Sequence, residues 1–160
     1  MQRNPVSMHL VRDFNYMEND TLKRDLVKYV RDRAKRAYKK QPNCAICGSA
    51  GDGKPLDLHH YSSMTLMLEK WLREHKLNPK TANEIMVIRD EFIDEHHVQI
   101  YDEVVTLCFK CHDLKLHKIY GSKPPLATAK KQMAWVEKQK EKYGTKKLDN
   151  GETESSSASN

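Results

Sequence analysis

The four cysteines of the chain fall into two close pairs, Cys44-x2-Cys47 and Cys108-x2-Cys111, with 60 residues between them. Nothing else in the 160 residues restricts the fold as strongly. Two residues between cysteines let both thiolates of a tight turn face one ion, and two such knuckles complete a closed four-sulfur zinc site. With every ligand position taken by sulfur, the zinc is expected to be structural, contributing folding free energy rather than chemistry. Four unrelated buried cysteines or a redox CxxC are the competing explanations, and matched pairs suit a shared ion better than either. Composition makes such a staple useful, because only three Phe and two Trp are available for a core in a chain that is 38% hydrophobic and 31% charged. The stretch MQRNPVSMHLVRDFNY shows no apolar segment of the signal-peptide kind. No apolar run approaches the roughly 20 residues of a membrane helix. The expectation is a soluble protein of a reducing cytoplasm, where paired cysteines are metal ligands rather than disulfides.

Charge is unevenly placed. Residues 21–40 hold nine Lys/Arg against two Asp, Ser62 to Glu103 five basic against nine acidic residues, and 104–144 nine Lys against three acids. Two basic blocks flanking an acidic middle suit a protein that meets a polyanion with its flanks. Solvated Lys-rich helix faces would look the same on charge alone. The candidate phosphate contacts are Arg24, Lys28, Arg31, Lys35 and Lys39 in the first block, and Lys115 and Lys118 in the second.

Asn19 or Asp20 can cap a helix reaching about Lys40, with Leu22, Leu26, Val30 and Ala34 on its apolar stripe and Pro42 beyond its end. Glycines and Pro55 mark turns after the first cysteine pair, and Leu56–Tyr61 reads as a strand. Helices follow over Met64–His75 and Ala82–Glu95, broken at Asn78-Pro79. Glu103–Leu107 is a β-prone run entering the second pair. A short helix after Cys111 ends at Gly121, and a last helix covers Leu126–Tyr143. Residues 145–160 lack apolar content and are expected to be disordered.

Histidines gather beside the cysteines. His59 and His60 end the first strand, in LDLHHY; His112 follows Cys111, and His117 lies five residues on. A shared zinc would bring His112 close to the strand carrying His59 and His60, making an imidazole cluster distinct from the sulfur site. Adjacent strand residues point to opposite sides, so His59 and His60 can divide the work of holding a metal and reaching a water. Asp57 shares the side of His59 and is placed to orient it through the second ring nitrogen. His112 could instead be a further zinc ligand or a helix cap, and His59 and His60 a surface or core pair. Five residues on a regular helix turn about 140°, so His112 and His117 are not expected on one face. His96-His97 reads as a polar helix end.

The pattern C-x2-C, LDLHHY, EVVTLC-x2-CH and a following His resembles the HNH endonucleases, the ββα-metal or His-Me finger nucleases with an added four-cysteine zinc knuckle. It is similar in size and plan to the stand-alone HNH proteins of bacteriophages. The resemblance implies an α+β fold, with a ββα-metal (HNH) core over 42–121, stapled by the four-cysteine zinc site and interrupted by a helical insert at 62–100. Around it lie an arm (1–18), a basic helix (19–41), a C-terminal helix (122–144) and a tail (145–160).

The same resemblance implies a metal-dependent endonuclease that hydrolyses phosphodiester bonds in DNA, nicking or cleaving it. His60 takes the position of the general base. His59 and His112, with His117 as a further ligand, would hold one catalytic divalent cation, Mg²⁺, Mn²⁺, Ni²⁺ or Zn²⁺. The family spaces the last two ligands by four residues rather than five, and its central Asn is replaced here by Glu103. The implied partner is DNA, with no membrane; the compartment is the cytoplasm, of the host if the gene is a phage's. The oligomeric state stays open, a monomer included. Two rival readings are a zinc-knuckle nucleic-acid-binding protein without catalysis and a protein-interaction adaptor whose insert docks a partner.

Overall fold

In the computed structural model of the chain, backbone is described for residues 20–158 and side chains for 25–144. The expected arm at 1–18 and the side chains of Leu22 and Arg24 lie outside the described residues.

The described residues divide into two units. One takes the described part of 1–39 together with Ser62–Val104; the other takes Lys40–Tyr61 and the residues from Val105 onward.

In the helical unit, Leu26, Val30 and Ala34 form the buried stripe of α1 (Asp20–Lys35), which packs against α2 (Met64–Glu74) and α3 (Ala82–Glu95). α1 ends earlier than the expected Lys40. Its last turn tightens through i→i+3 bonds, Arg36 to Arg33, Ala37 to Ala34 and Tyr38 to Lys35, and Tyr38 turns in to meet Met64 and Tyr101. Ser63 caps α2, and α3 opens with a reciprocal capping box between Thr81 and Glu84. Leu68, Trp71, Ile85, Ile88 and Phe92 fill the centre, with the Trp71 and Phe92 rings edge to face at 5.5 Å. Each such side chain stabilises the unit by about 1.5–3 kcal/mol on burial. A π-helical turn, Val98–Asp102, closes the unit and buries Ile100.

The second unit is α+β. Its sheet has two strands, β1 (Asp57–His60) and β2 (Val104–Leu107). After β2 come α4 (Phe109–Cys111), a π-helical turn over His112–Leu116, and α5 (His117–Tyr120), stopped at Gly121 with φ 92°. A 3₁₀ turn (Leu126–Thr128) leads into α6 (Ala129–Ala158). Helical backbone thus continues to Ala158, into the stretch expected to be disordered, because extending an existing helix adds a hydrogen bond per residue with no new nucleation. Leu107, Leu116 and Val136 are fully buried around Cys44, Cys108 and Cys111. No helix among the described residues is long and apolar enough to cross a membrane.

Candidate metal centre

The first knuckle is a tight turn. The Gly48 N–H donates to the Cys44 carbonyl, the Cys44 N–H donates to Ser49, and Gly48 takes φ 75°. Further along, Gly51 has φ 117°, and a Cβ there would meet the Lys54 carbonyl oxygen at 2.2 Å, so only glycine fits this loop. The second knuckle is the start of α4, where the Cys108 sulfur caps the Cys111 N–H. All four sulfurs come within 4.8 Å of one another, and Cys47 and Cys108 are 3.7 Å apart. Tetrahedral zinc–sulfur bonds of about 2.3 Å place sulfurs about 3.8 Å apart, the separation that Cys47 and Cys108 already have, so the four-sulfur cluster suits a zinc-type ion. Burial opposes ionisation of Cys44, yet the backbone N–H groups of Cys47, Cys108 and Ile46 bring its thiol down to about 7. Burial pushes Cys47 and Cys111 up. A cation held by the four sulfurs would bring their protons off.

The second cluster is made of imidazoles. His59 Nδ1 lies 3.0 Å from His112 Nε2, and His117 Nε2 lies 2.9 Å from the same atom. Expected on different faces, His112 and His117 are brought together because the intervening residues adopt a π turn. That wider turn takes up the extra residue and restores the facing geometry that an α-helix gives to a spacing of four.

The outward nitrogen of each ring meets an acceptor. His117 Nδ1 is 2.6 Å from the Gly121 carbonyl, which can only accept. His112 Nδ1 faces Asp113 at 2.8 Å and Asp57 at 3.3 Å. His59 Nε2 is 2.8 Å from Gln132 Oε1. These bonds place the ring protons outward and leave three lone pairs, from His59 Nδ1, His112 Nε2 and His117 Nε2, converging. Metal–nitrogen bonds of about 2.0–2.1 Å put neighbouring ligands about 2.9–3.3 Å apart, so the trio fits one divalent ion. Burial lowers the pKa of His59 to about 3, against the bond from Gln132, and burial with the neighbouring His117 lowers that of His112. Both rings are held neutral, the form that binds a metal.

Asp57 therefore orients His112, not His59 as the strand alternation implied, since the outer nitrogen of His59 is taken by Gln132. Asp113 and Gln132 were missed. Asp113 carried a signal in standing next to His112; Gln132 carried a fainter one, a polar residue on the apolar stripe of α6 between Ala129 and Val136. His60, half-buried, ends β1 on the side opposite His59. Glu103 belongs to the helical unit, one residue before β2, and its N–H donates to the Val98 carbonyl.

The basic residues divide by availability. Lys35, Lys39 and Lys118 are exposed; Lys28 is paired with Asp32 at 2.6 Å and Arg31 donates to Thr65. Lys115 donates to the Tyr143 hydroxyl at 3.2 Å, which ties it to α6. Arg33 and Arg36 are also exposed on the first basic block and add to its charge.

No solved structure is a significant match to the chain. The family model described as the nicking endonuclease family, of phage T5 type, matches residues 16–157, spanning both units and both clusters. The chain belongs to this nicking endonuclease family and is a DNA endonuclease.

Proposed function

We propose that the protein is a metal-dependent nicking nuclease of the HNH type, with structural zinc on Cys44, Cys47, Cys108 and Cys111 and one catalytic divalent cation on His59, His112 and His117. The observation that carries this reading is the convergence of three imidazole nitrogens, each ring having its outer nitrogen tied to an acceptor. A site that only packed histidines would have no need to aim three lone pairs at one point.

When bound, the cation supplies Lewis-acid stabilisation of the scissile phosphate and of the leaving 3′-oxygen. His60 takes the proton from the attacking water. Asp57 and Asp113 hold His112 in its Nδ1–H tautomer, and Gly121 does the same for His117. Glu103 takes the position of the family's central Asn. The exposed Lys35, Lys39 and Lys118 bind phosphates without reading sequence, so DNA affinity falls with salt. The place of action is the cytoplasm of an infected host cell. A binding-only knuckle protein and an adaptor both leave the enzyme family without an explanation.

The test is plasmid nicking across Mg²⁺, Mn²⁺, Ni²⁺ and Zn²⁺, comparing the native protein with His60→Ala. Loss of a general base lowers the rate about 10²–10⁴-fold. Zinc content and thermal stability should stay unchanged. Undiminished nicking by His60→Ala, or full activity in a chelator that strips the imidazole site but spares the zinc, would overturn the mechanism.

A further inference from the structure

We infer that Gln132, on the helix that follows the metal-binding segment, is a positioning residue of the nuclease: it sets the tautomer of His59 and thereby aims His59 Nδ1 at the catalytic cation. The inference rests on the proposed imidazole metal site and goes beyond it by extending the catalytic apparatus into α6.

Gln132 is fully buried, and so is almost all of His59, which is 4% exposed. A buried amide must satisfy both its donor and its acceptor side, and the surroundings leave one way to do so. The Gln132 amide nitrogen lies 3.1 Å from the Tyr61 carbonyl, which has no proton to give. It also lies 2.9 Å from Thr128 Oγ1, whose own proton goes to the Pro125 carbonyl at 2.6 Å. The –NH₂ therefore faces two acceptors, which fixes the orientation of the amide and turns Oε1 toward His59 Nε2 at 2.8 Å. Facing an oxygen that only accepts, Nε2 must carry the ring proton, and Nδ1 is left with its lone pair toward His112 and His117.

The chain of consequence runs from a 3₁₀ turn to a ligand: Thr128 and Tyr61 hold Gln132, Gln132 holds the His59 proton, and the proton decides which nitrogen can ligate. His112 and His117 have carboxylates or a carbonyl for this task; His59 alone depends on a side chain of α6. Partners of this kind change metal affinity by about 10–100-fold when removed.

The experiment is a Co²⁺ titration of the full chain, loaded with zinc on its cysteines and followed by visible absorption, for the native protein, Gln132→Met and Gln132→Glu. Methionine keeps the volume and removes the acceptor; a buried, protonated glutamate keeps an acceptor for His59 Nε2 and a donor for the Tyr61 carbonyl. The expected result is one Co²⁺ bound by the native protein, affinity about 10–100-fold weaker in Gln132→Met, and recovery to within a few-fold in Gln132→Glu. Zinc content should be equal in all three. Nitrogen-15 spectra of labelled histidine should show the His59 proton on Nε2 in the native protein, a reading that needs no variant to fold and no metal at the trio. Equal Co²⁺ affinity in Gln132→Met, or a native His59 protonated on Nδ1, overturns the role of Gln132. Failure of the native protein to bind Co²⁺ beyond its cysteine site instead overturns the metal reading beneath it, and the inference falls with it.

Discussion

The two units are stabilised by different physics. The helical unit is built on a continuous apolar interior, Leu26, Val30, Leu68, Trp71, Ile85, Ile88, Phe92 and Ile100, closed by helix caps. The unit with β1 and β2 has a smaller apolar set, Ile46, Tyr61, Leu107, Leu116 and Val136 around buried cysteines, and adds to its interior groups that water would otherwise solvate: thiols, the His59 imidazole and Gln132. An apolar core tolerates exchange of one hydrophobe for another, whereas a ligand cluster depends on every member. The proposed catalytic groups belong to the second kind because a site must be prepared for a cation before the cation arrives.

The largest test of that contrast removes one zinc ligand. Cys108→Ser should abolish zinc uptake and unfold the α+β unit, since structural zinc contributes on the order of 10 kcal/mol in small domains. With one Trp in each unit, Trp71 and Trp135, fluorescence of Trp135→Phe and Trp71→Phe backgrounds reports the units separately. Simultaneous loss of both signals at one midpoint would show that the two interiors are not independent in stability.

Next in size, Phe92→Ala should destabilise the helical unit by about 3–5 kcal/mol, the range for an aromatic cavity in a close-packed core. Its zinc and Co²⁺ stoichiometries should equal those of the native protein by elemental analysis and titration. A drop in either would tie the metal centre to the helical core.

Acid should act on the α+β unit through His59 and His112. Both have folded pKa values below the ordinary histidine value, His59 at about 3, so the unfolded chain binds more protons than the folded one below about pH 6.5. Stability therefore rises with pH across that window. It is fully present above pH 6.5 and falls away between about 6.5 and 3, by on the order of a few kcal/mol. Urea midpoints followed by Trp135 at pH 7.5 and 5.5 measure it, and a higher midpoint at 5.5 would contradict the assignment of neutral rings.

The smallest effect belongs to the surface. Lys35→Ala should leave both interiors intact and reduce the salt slope of DNA binding by about one unit, the signature of one lost phosphate contact. Lys115→Ala should change the slope less, because its ammonium already engages Tyr143. Equal changes in the two would mean that DNA frees Lys115 from that bond.

Much of the helical unit was legible in the residues. The limits of Ala82–Glu95 can be read from Thr81 and Glu84 at one end and from the period of Ile85, Ile88 and Phe92 along its length. The early end of α1 could not be, because it depends on where Tyr38 finds Met64 and Tyr101, partners distant in sequence. In the metal centre, the four paired cysteines and the approach of His112 to the strand carrying His59 followed from spacing, but the place of His117 beside them did not, because a regular helix would have turned it to another face. Nor did the pairing of Asp57 with His112, or of His59 with Gln132.

The amino-acid order by itself determined which groups were available: thiolates in twos, adjacent imidazoles on a strand, basic flanks, and an apolar period for each long helix. Such features are local, and a spacing of two or of three to four residues carries them. Tertiary structure alone decided the partnerships. A π turn rather than an α turn lets His112 face His117, and the approach of α6 brings the accepting Oε1 of Gln132 to His59 Nε2, 73 residues away. Hydrogen bonds made across such separations are chosen by whichever acceptor the folded chain brings within about 3 Å, and no periodicity in the sequence encodes that choice.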